Sequence, residues 1–111
     1  MTSNLNLHAR LAIERVSRGL RGELAEYWRG NVPAGAVLTS AKGLRAQSRA
    51  TRQIAPREAD VVLGAAALVE ILMESAERAR IANDITLSDE HVRAALDAIE
   101  TLRGALGTKE T

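Results

Sequence analysis

The chain has 111 residues, with 15 Lys or Arg against 14 Asp or Glu, one Trp, one Tyr, no Phe and no Cys. The lack of Cys excludes disulfides and thiolate metal sites, and a core without Phe has to be built from Leu, Ile, Val and Ala, which favours closely packed helices. Residues 1–10 lack the apolar core of a signal peptide, and the apolar run at residues 61–73 is too short to span a bilayer, so we expect a cytoplasmic protein with no membrane contact.

The charges are divided unequally between the two halves of the chain. Residues 1–57 carry a net charge of +7 and residues 58–111 a net charge of −6, which together give the +1 of the whole chain. No acid occurs between Glu26 and Glu58. This division indicates either a polyanion bound to the basic half, or a contact between the basic surface of one subunit and the acidic surface of another.

The first element is a predicted amphipathic helix over residues 4–29. Its apolar residues recur at spacings of three and four: Ala9, Ile13, Val16, Leu20, Leu24 and Tyr27. Gly30 and Pro33 then interrupt the helical pattern and predict a connector. The predicted divisions of the chain are an N-terminal helix at 1–30, a connector at 31–36, a helical domain at 37–106 and a polar tail at 107–111.

A second helix is predicted for residues 38–50, and it carries a row of cations. Lys42, Arg45, Arg49 and Arg52 follow one another at spacings of three, four and three, which stacks them along one side of a helix. A helix presents guanidinium groups to a line of phosphates in this way. A solvated basic surface is an equally open alternative.

A third helix is predicted for residues 56–82, and it is apolar around almost its whole circumference. Such a helix must be covered on all sides. The other helices of so short a chain can hardly enclose it alone, so we expect a partner chain. Glu70 carries the one charge within residues 61–73. Because a charge there needs a partner, we expect Glu70 at the rim of the covered surface, paired with an Arg, in the same chain or across a dimer.

A short link and a fourth helix complete the pattern. Residues 85–87 are predicted to form a brief extended strap, and Ser88 is a suitable N-cap for the helix that follows. The apolar positions of this helix again recur at helical spacing: Val92, Leu96, Ile99, Leu102 and Leu106.

The order of a short helix, a loop, a long helix, a strap and a closing helix resembles the histone fold over residues 37–102. The segments VEILMESAERARIAN at 69–83 and NDITLSDEHVRAALDAI at 83–99 are similar to the second half of the central helix and to the second loop and third helix of that family. The resemblance implies an all-α histone fold with an added N-terminal helix, in an obligate dimer whose chains clasp head to tail. The implied dimer-interface residues are Ile54, Val62, Leu63, Ala66, Val69, Met73, Ile85, Leu87, Leu96 and Ile99.

The same resemblance implies a function, because histone-fold dimers bind DNA through the first helix and the paired loops. We therefore expect a histone-like, nucleoid-associated DNA-binding protein that forms a homodimer or a larger assembly and contacts phosphates largely without regard to sequence. One alternative is a histone-fold protein–protein assembly module without DNA binding, whose N-terminal helix and acidic last helix recruit another protein. A third possibility is a compact helical bundle unrelated to histones. The loop arginine of the family falls on Gln53, directly after Arg52. The expected DNA-binding residues are Lys42, Arg45, Arg49, Arg52, Gln53 and Arg57.

Neither an enzyme, nor a cofactor, nor a metal site is expected from the residues. His8 and His91 are far apart in sequence, and the acids beside His91 are explained by the first turn of a helix, where negative charge is favourable. Tyr27 and Trp28 have two interpretations. They would either stack on a base or a partner, or anchor the first helix against the body of the protein.

Overall fold

The computed structural model describes residues 7–106, and this part of the chain folds into four helices without strands. Helix α1 spans Leu7–Trp28, α2 spans Ala34–Thr51, α3 spans Pro56–Ile81 and α4 spans Ile85–Ala105. The predicted all-α class is therefore confirmed. The predicted first turn at residues 4–6 and the polar tail at 107–111 lie outside the described residues.

The connection between α1 and α2 is shorter than predicted. Gly30 follows α1 with a φ of 83°, a left-handed conformation that favours glycine and ends helices. Pro33 is extended, with φ −79° and ψ 163°, and α2 begins directly after it at Ala34. The predicted connector at 31–36 thus ends at Pro33, because Gly35 is accommodated in the exposed first turn of α2 instead of breaking the helix.

The start of α4 also differs from the prediction. Residues 85–87 are not an extended strap but the first turn of α4, and its N-cap is Asp84 instead of Ser88. The Asp84 carboxylate accepts a hydrogen bond from the backbone N–H of Leu87 at 3.1 Å. This bond satisfies an amide that would otherwise be unpaired, which lets the helix begin earlier. Asn83, with a φ of 65°, makes the turn between α3 and α4.

The helices form a bundle in which each runs antiparallel to the next and α4 returns to α1. Backbone contacts join α1 to α2, α2 to α3, α3 to α4 and α4 to α1, while within residues 7–106 none joins the diagonal pairs. Two ion pairs link α1 and α4: Arg21 lies 3.2 Å from Glu100, and Arg103 lies 3.0 Å from Glu14. Short connections and antiparallel neighbours are typical of up-and-down four-helix bundles.

One hydrophobic core holds all four helices together. Leu20 and Leu24 of α1 are fully buried in the same cluster as the apolar residues of the other helices, so α1 is part of the domain. The buried hydroxyl of Ser48 in α2 donates a hydrogen bond to the carbonyl oxygen of Ala59 in α3 at 2.7 Å. Further members of the core are Ile13, Val37, Ala41, Leu44, Val62, Met73, Val92, Ala95 and Leu102.

Helix α3 is covered on one side only. Its inward residues are fully buried by the chain itself, whereas Val61, Leu68 and Ile71 on the outer side are 41%, 45% and 60% exposed. The neighbouring helices thus leave part of the apolar circumference open, as expected for a chain of this length. That a partner chain covers this part remains a prediction. None of the described helices is both long and apolar enough to cross a membrane.

Candidate interaction surfaces

The predicted row of cations lies along the outer side of α2. Lys42 and Arg49 are exposed, and they lie about 10 Å apart along the helix axis because seven residues separate them. Gln53 and Arg57 are exposed as well, at the turn after α2 and at the start of α3. Within residues 7–106, Lys42, Arg49 and Arg57 form no ion pair with an acid.

Carboxylates of α3 neutralise the other two members of the row. Arg45 contacts both carboxylate oxygens of Glu70, with its Nη2 2.5 Å from Oε1 and its Nε 3.3 Å from Oε2. These hydrogen bonds raise the pKa of Arg45 above its ordinary value. The Nη1 of Arg52 lies 3.1 Å from the Oδ1 of Asp60. The predicted pairing of Glu70 with an Arg is confirmed, and it lies within one chain. Two of the four cations in the row, Lys42 and Arg49, are left without an acidic partner among the described residues.

A second candidate surface is the line formed by Val61, Gly64, Leu68 and Ile71, which we call the α3 face. Spacings of three and four place these residues on one side of the helix. A groove of about 260 Å³ runs beside Val61, Gly64 and Leu68, between α3 and α4. The lining on the α4 side consists of Ala98, Thr101 and Leu102. The groove is mainly apolar, with Asp60 as the one charged residue of the lining that the structure describes. Gly64 is part of the lining and has no side chain, so a side chain from another protein could enter at that point.

Opposite charges stand at the two ends of the α3 face. Arg57 lies one helical turn before Val61, and Glu74 lies one turn after Ile71. Both charged side chains are exposed, and within the described part of the chain neither takes part in an ion pair. The α3 face therefore begins beside a positive charge and ends beside a negative one, and Arg78 follows Glu74 one helical turn further along.

The predicted dimer-interface residues fall into three groups. Leu63 and Leu96 are half-buried. Three are exposed at the ends of the bundle: Ile54, Ile85 and Leu87. The remaining five are fully buried in the core of a single chain: Val62, Ala66, Val69, Met73 and Ile99. Because the chain's own helices cover these five side chains, a partner cannot reach them in this structure.

The residues of the α3 face are not among the predicted interface residues, which lie on the neighbouring side of the same helix. Val62, Val69 and Met73 recur at helical spacing, and so do Val61, Leu68 and Ile71, so periodicity alone could not rank the two sides. The charges do not rank the two sides either. Arg57, Glu74 and Arg78 continue the line of the α3 face, but Glu58 and Glu77 continue the line of Val62 and Met73 at the same spacing.

The end of α1 is anchored to the body of the bundle by its two aromatic residues. The hydroxyl of Tyr27 donates a hydrogen bond to Glu77 of α3 at 2.7 Å, and Arg80 donates to the same carboxylate at 2.8 Å. Burial raises the pKa of Tyr27, and the hydrogen bonds from Arg80 and Tyr27 lower the pKa of Glu77. The guanidinium of Arg93 lies 5.7 Å from the centre of the Trp28 ring. These contacts support the anchoring interpretation of Tyr27 and Trp28.

The two histidines lie in different helices. His8 is exposed at the start of α1, and His91 is half-buried in α4. No group of three or more His, Asp or Glu side chains among the described residues is placed to hold a metal ion. Comparisons of the chain with protein-family models, with curated proteins and with solved structures found no match. Function is therefore inferred from the surfaces of the bundle.

Proposed function

We propose that the chain is a protein-association module that binds a protein partner through the α3 face and the adjoining groove. The observation that carries this proposal is the exposure of Val61, Leu68 and Ile71 in one line. Single exposed apolar side chains are ordinary, whereas a line of them beside an apolar groove is typical of protein interfaces. This function requires no catalytic group, metal or cofactor.

Burial of the α3 face would supply part of the binding free energy. Covering a fully exposed Val, Leu or Ile side chain yields about 1.5 to 3 kcal/mol, and these three are close to half exposed, so covering all three yields roughly 2 to 4 kcal/mol. Association costs more than that in lost translational and rotational freedom. The partner must therefore contribute apolar side chains of its own.

The histone-fold dimer is a different and more specific form of association. The order of α2, α3 and α4 agrees with it, and α3 has 26 residues, close to the length of the central histone helix. The 18 residues of α2 and the 21 of α4 are long for the flanking helices of that fold. We base the proposal on the exposed side of α3. A histone-type interface would need the five predicted interface side chains that are buried within a single chain.

Site-specific photo-crosslinking in the cell of origin tests the association. A photoreactive amino acid replaces Leu68 in one version of the chain and Ala46, exposed on α2, in the matched control. We expect covalent adducts of defined mass from position 68 and none of that mass from position 46, because only the first lies on the α3 face. Adducts at equal yield from both positions, or none at position 68, would refute the proposal.

DNA binding through α2 is a second candidate, favoured by the exposed and unpaired Lys42, Arg49 and Arg57. Three phosphate contacts per chain would give a slope of about −2.7 for log affinity against log salt. We expect a random duplex to bind at low ionic strength and Lys42→Gln with Arg49→Gln to abolish binding, while Arg78→Gln on α3 leaves it unchanged. Failure of the unaltered chain to bind at low salt would eliminate this candidate and, with it, the expected nucleoid association.

A further inference from the structure

The α3 face has a pattern that suits pairing with itself. Val61 and Ile71 lie equally far from position 66 along the helix, and Gly64 and Leu68 also lie equally far from it. The positions are therefore symmetric about residue 66. The inner pair matches a small residue, Gly64, with a large one, Leu68, and the outer pair matches Val61 with Ile71. A two-fold symmetric contact requires such a self-complementary surface, because each copy presents the same patch.

We propose that the partner of the α3 face is a second copy of this chain, with the two α3 helices antiparallel about a two-fold axis at position 66. This inference rests on the proposed association function and adds the identity of the partner and the register. In this arrangement Leu68 of each copy enters the other's groove at Gly64, and Val61 of each copy packs against the partner's Ile71.

The shape of the surface fits this register. A Cβ built on Gly64 would have no heavy atom within 4 Å, so the position is open on the outer side of α3. Leu68 is 45% exposed and projects from the same side. Alternation of large and small residues across facing positions lets two helices interdigitate at short distance. Because the contact is symmetric, the partner supplies the apolar side chains that one α3 face lacks.

The charges fit the antiparallel direction. An antiparallel pair brings Arg57 of each copy near Glu74 of the other, so this contact forms twice in each dimer, whereas Arg78 lies opposite position 54. Glu74 is one residue from the position directly opposite Arg57, which is an offset of about 1.5 Å along the axis and about 100° around it, so both long side chains must bend toward the contact. A parallel pair would instead bring like charges together at both ends.

Charge-reversal variants test the register without disturbing the core. Arg57→Glu places two pairs of like charges in the dimer, and Glu74→Arg does the same with the opposite sign. We expect each variant alone to dissociate about tenfold more readily than the unaltered chain, as measured by sedimentation equilibrium. An equimolar mixture of the two variants should recover the original affinity, because both contacts are again attractive. The double variant carrying both substitutions should recover it as well.

A variant at Gly64 separates a role in pairing from a role in folding. Gly64→Leu improves helix propensity at an open position, so the thermal midpoint of the isolated chain should rise. The same substitution fills the place of the partner's Leu68, so the dimer should weaken at least tenfold. Opposite changes in these two quantities support the proposal, and an unchanged or tighter dimer overturns it.

The remaining outcomes are also decisive. A monomer at the highest micromolar concentrations, with position 68 crosslinking to a different protein, overturns self-pairing and leaves the proposed association function standing. The antiparallel register is overturned if neither charge reversal changes the dissociation constant of the dimer. It is also overturned if the mixture of the two variants does not recover the original affinity. Absence of crosslinks at position 68 together with a monomeric chain refutes both proposals.

Discussion

The assignment of the two sides of α3 makes a quantitative prediction for two neighbouring residues. Met73 is fully buried in the core, whereas Ile71 is 60% exposed on the α3 face. Met73→Ala removes a large buried side chain and leaves a cavity, which typically costs about 2 to 5 kcal/mol. Ile71→Ala removes a side chain that contributes less than half of its surface to the core of one chain, so we expect a loss below about 1 kcal/mol.

These losses are large on the scale of the protein. A domain of this size is typically stable by about 5 to 15 kcal/mol, so Met73→Ala would remove a substantial fraction of its stability. With 1 kcal/mol corresponding to about 4 to 8 °C in a domain of this length, a loss of 3 kcal/mol lowers the thermal midpoint by roughly 12 to 24 °C. Ile71→Ala should instead weaken association while leaving the isolated chain nearly as stable as before.

Urea unfolding at the lowest practical protein concentration measures the stability loss of Met73→Ala and of Ile71→Ala without a contribution from dimer formation. Circular dichroism follows the helices, and the m-value should stay constant because the same surface is exposed on unfolding. Equal losses for the two variants, or a larger loss for Ile71→Ala, would refute the assigned core side of α3. That result would instead favour the sequence-based alternative, in which the phase of Met73 faces a partner.

Three further predictions follow from single contacts. Asp84→Ala should lower the free energy of unfolding by about 0.5 to 2 kcal/mol, because it removes the N-cap of α4. Ser88→Ala, at the cap predicted from the sequence, should lower it less. The reverse order in urea unfolding would contradict Asp84 as the N-cap. A double-mutant cycle on Arg45 and Glu70 should give a small favourable coupling that shrinks with added salt, and a coupling of zero would show that the pair does not stabilise the fold. Because the folded pKa of Glu77 is lowered, its contribution is present above the unfolded pKa of about 4.3 and is lost as the pH falls through the folded value. Glu77→Gln should therefore flatten the acid limb of the stability profile, and an unchanged limb would argue against this linkage.

The helices were predictable from the sequence because their signals are local. Pro56 at the start of α3 and Gly30 after α1 act on the backbone through their own conformational preferences, and the structure places helix ends there. The start of α4 was predicted incorrectly because two suitable capping residues compete. Asp84 precedes Ser88 in the chain, and its hydrogen bond from the N–H of Leu87 starts the helix there. Ser88 therefore lies inside α4.

The surfaces were less predictable because they depend on how helices meet. The row of cations on α2 is visible in the sequence, but the loss of Arg45 and Arg52 to Glu70 and Asp60 depends on the packing of α2 against α3. The pairing of Glu70 with an Arg could be expected from the cost of an unpaired charge, although its partner could not be named. Which apolar side of α3 is buried depends on where α2 and α4 are placed, and the spacing of apolar residues does not contain that information.

The distance between spin labels on two copies of the chain tests the antiparallel α3 pair most directly. The chain has no Cys, so Arg78→Cys provides a single attachment point at the exposed end of α3. In an antiparallel pair centred at position 66 the two labels are 24 residues apart along the axis, so we predict a separation of about 36 Å. A separation near 10 Å, the spacing of two parallel helices, or the absence of any interchain distance at high concentration would contradict the account.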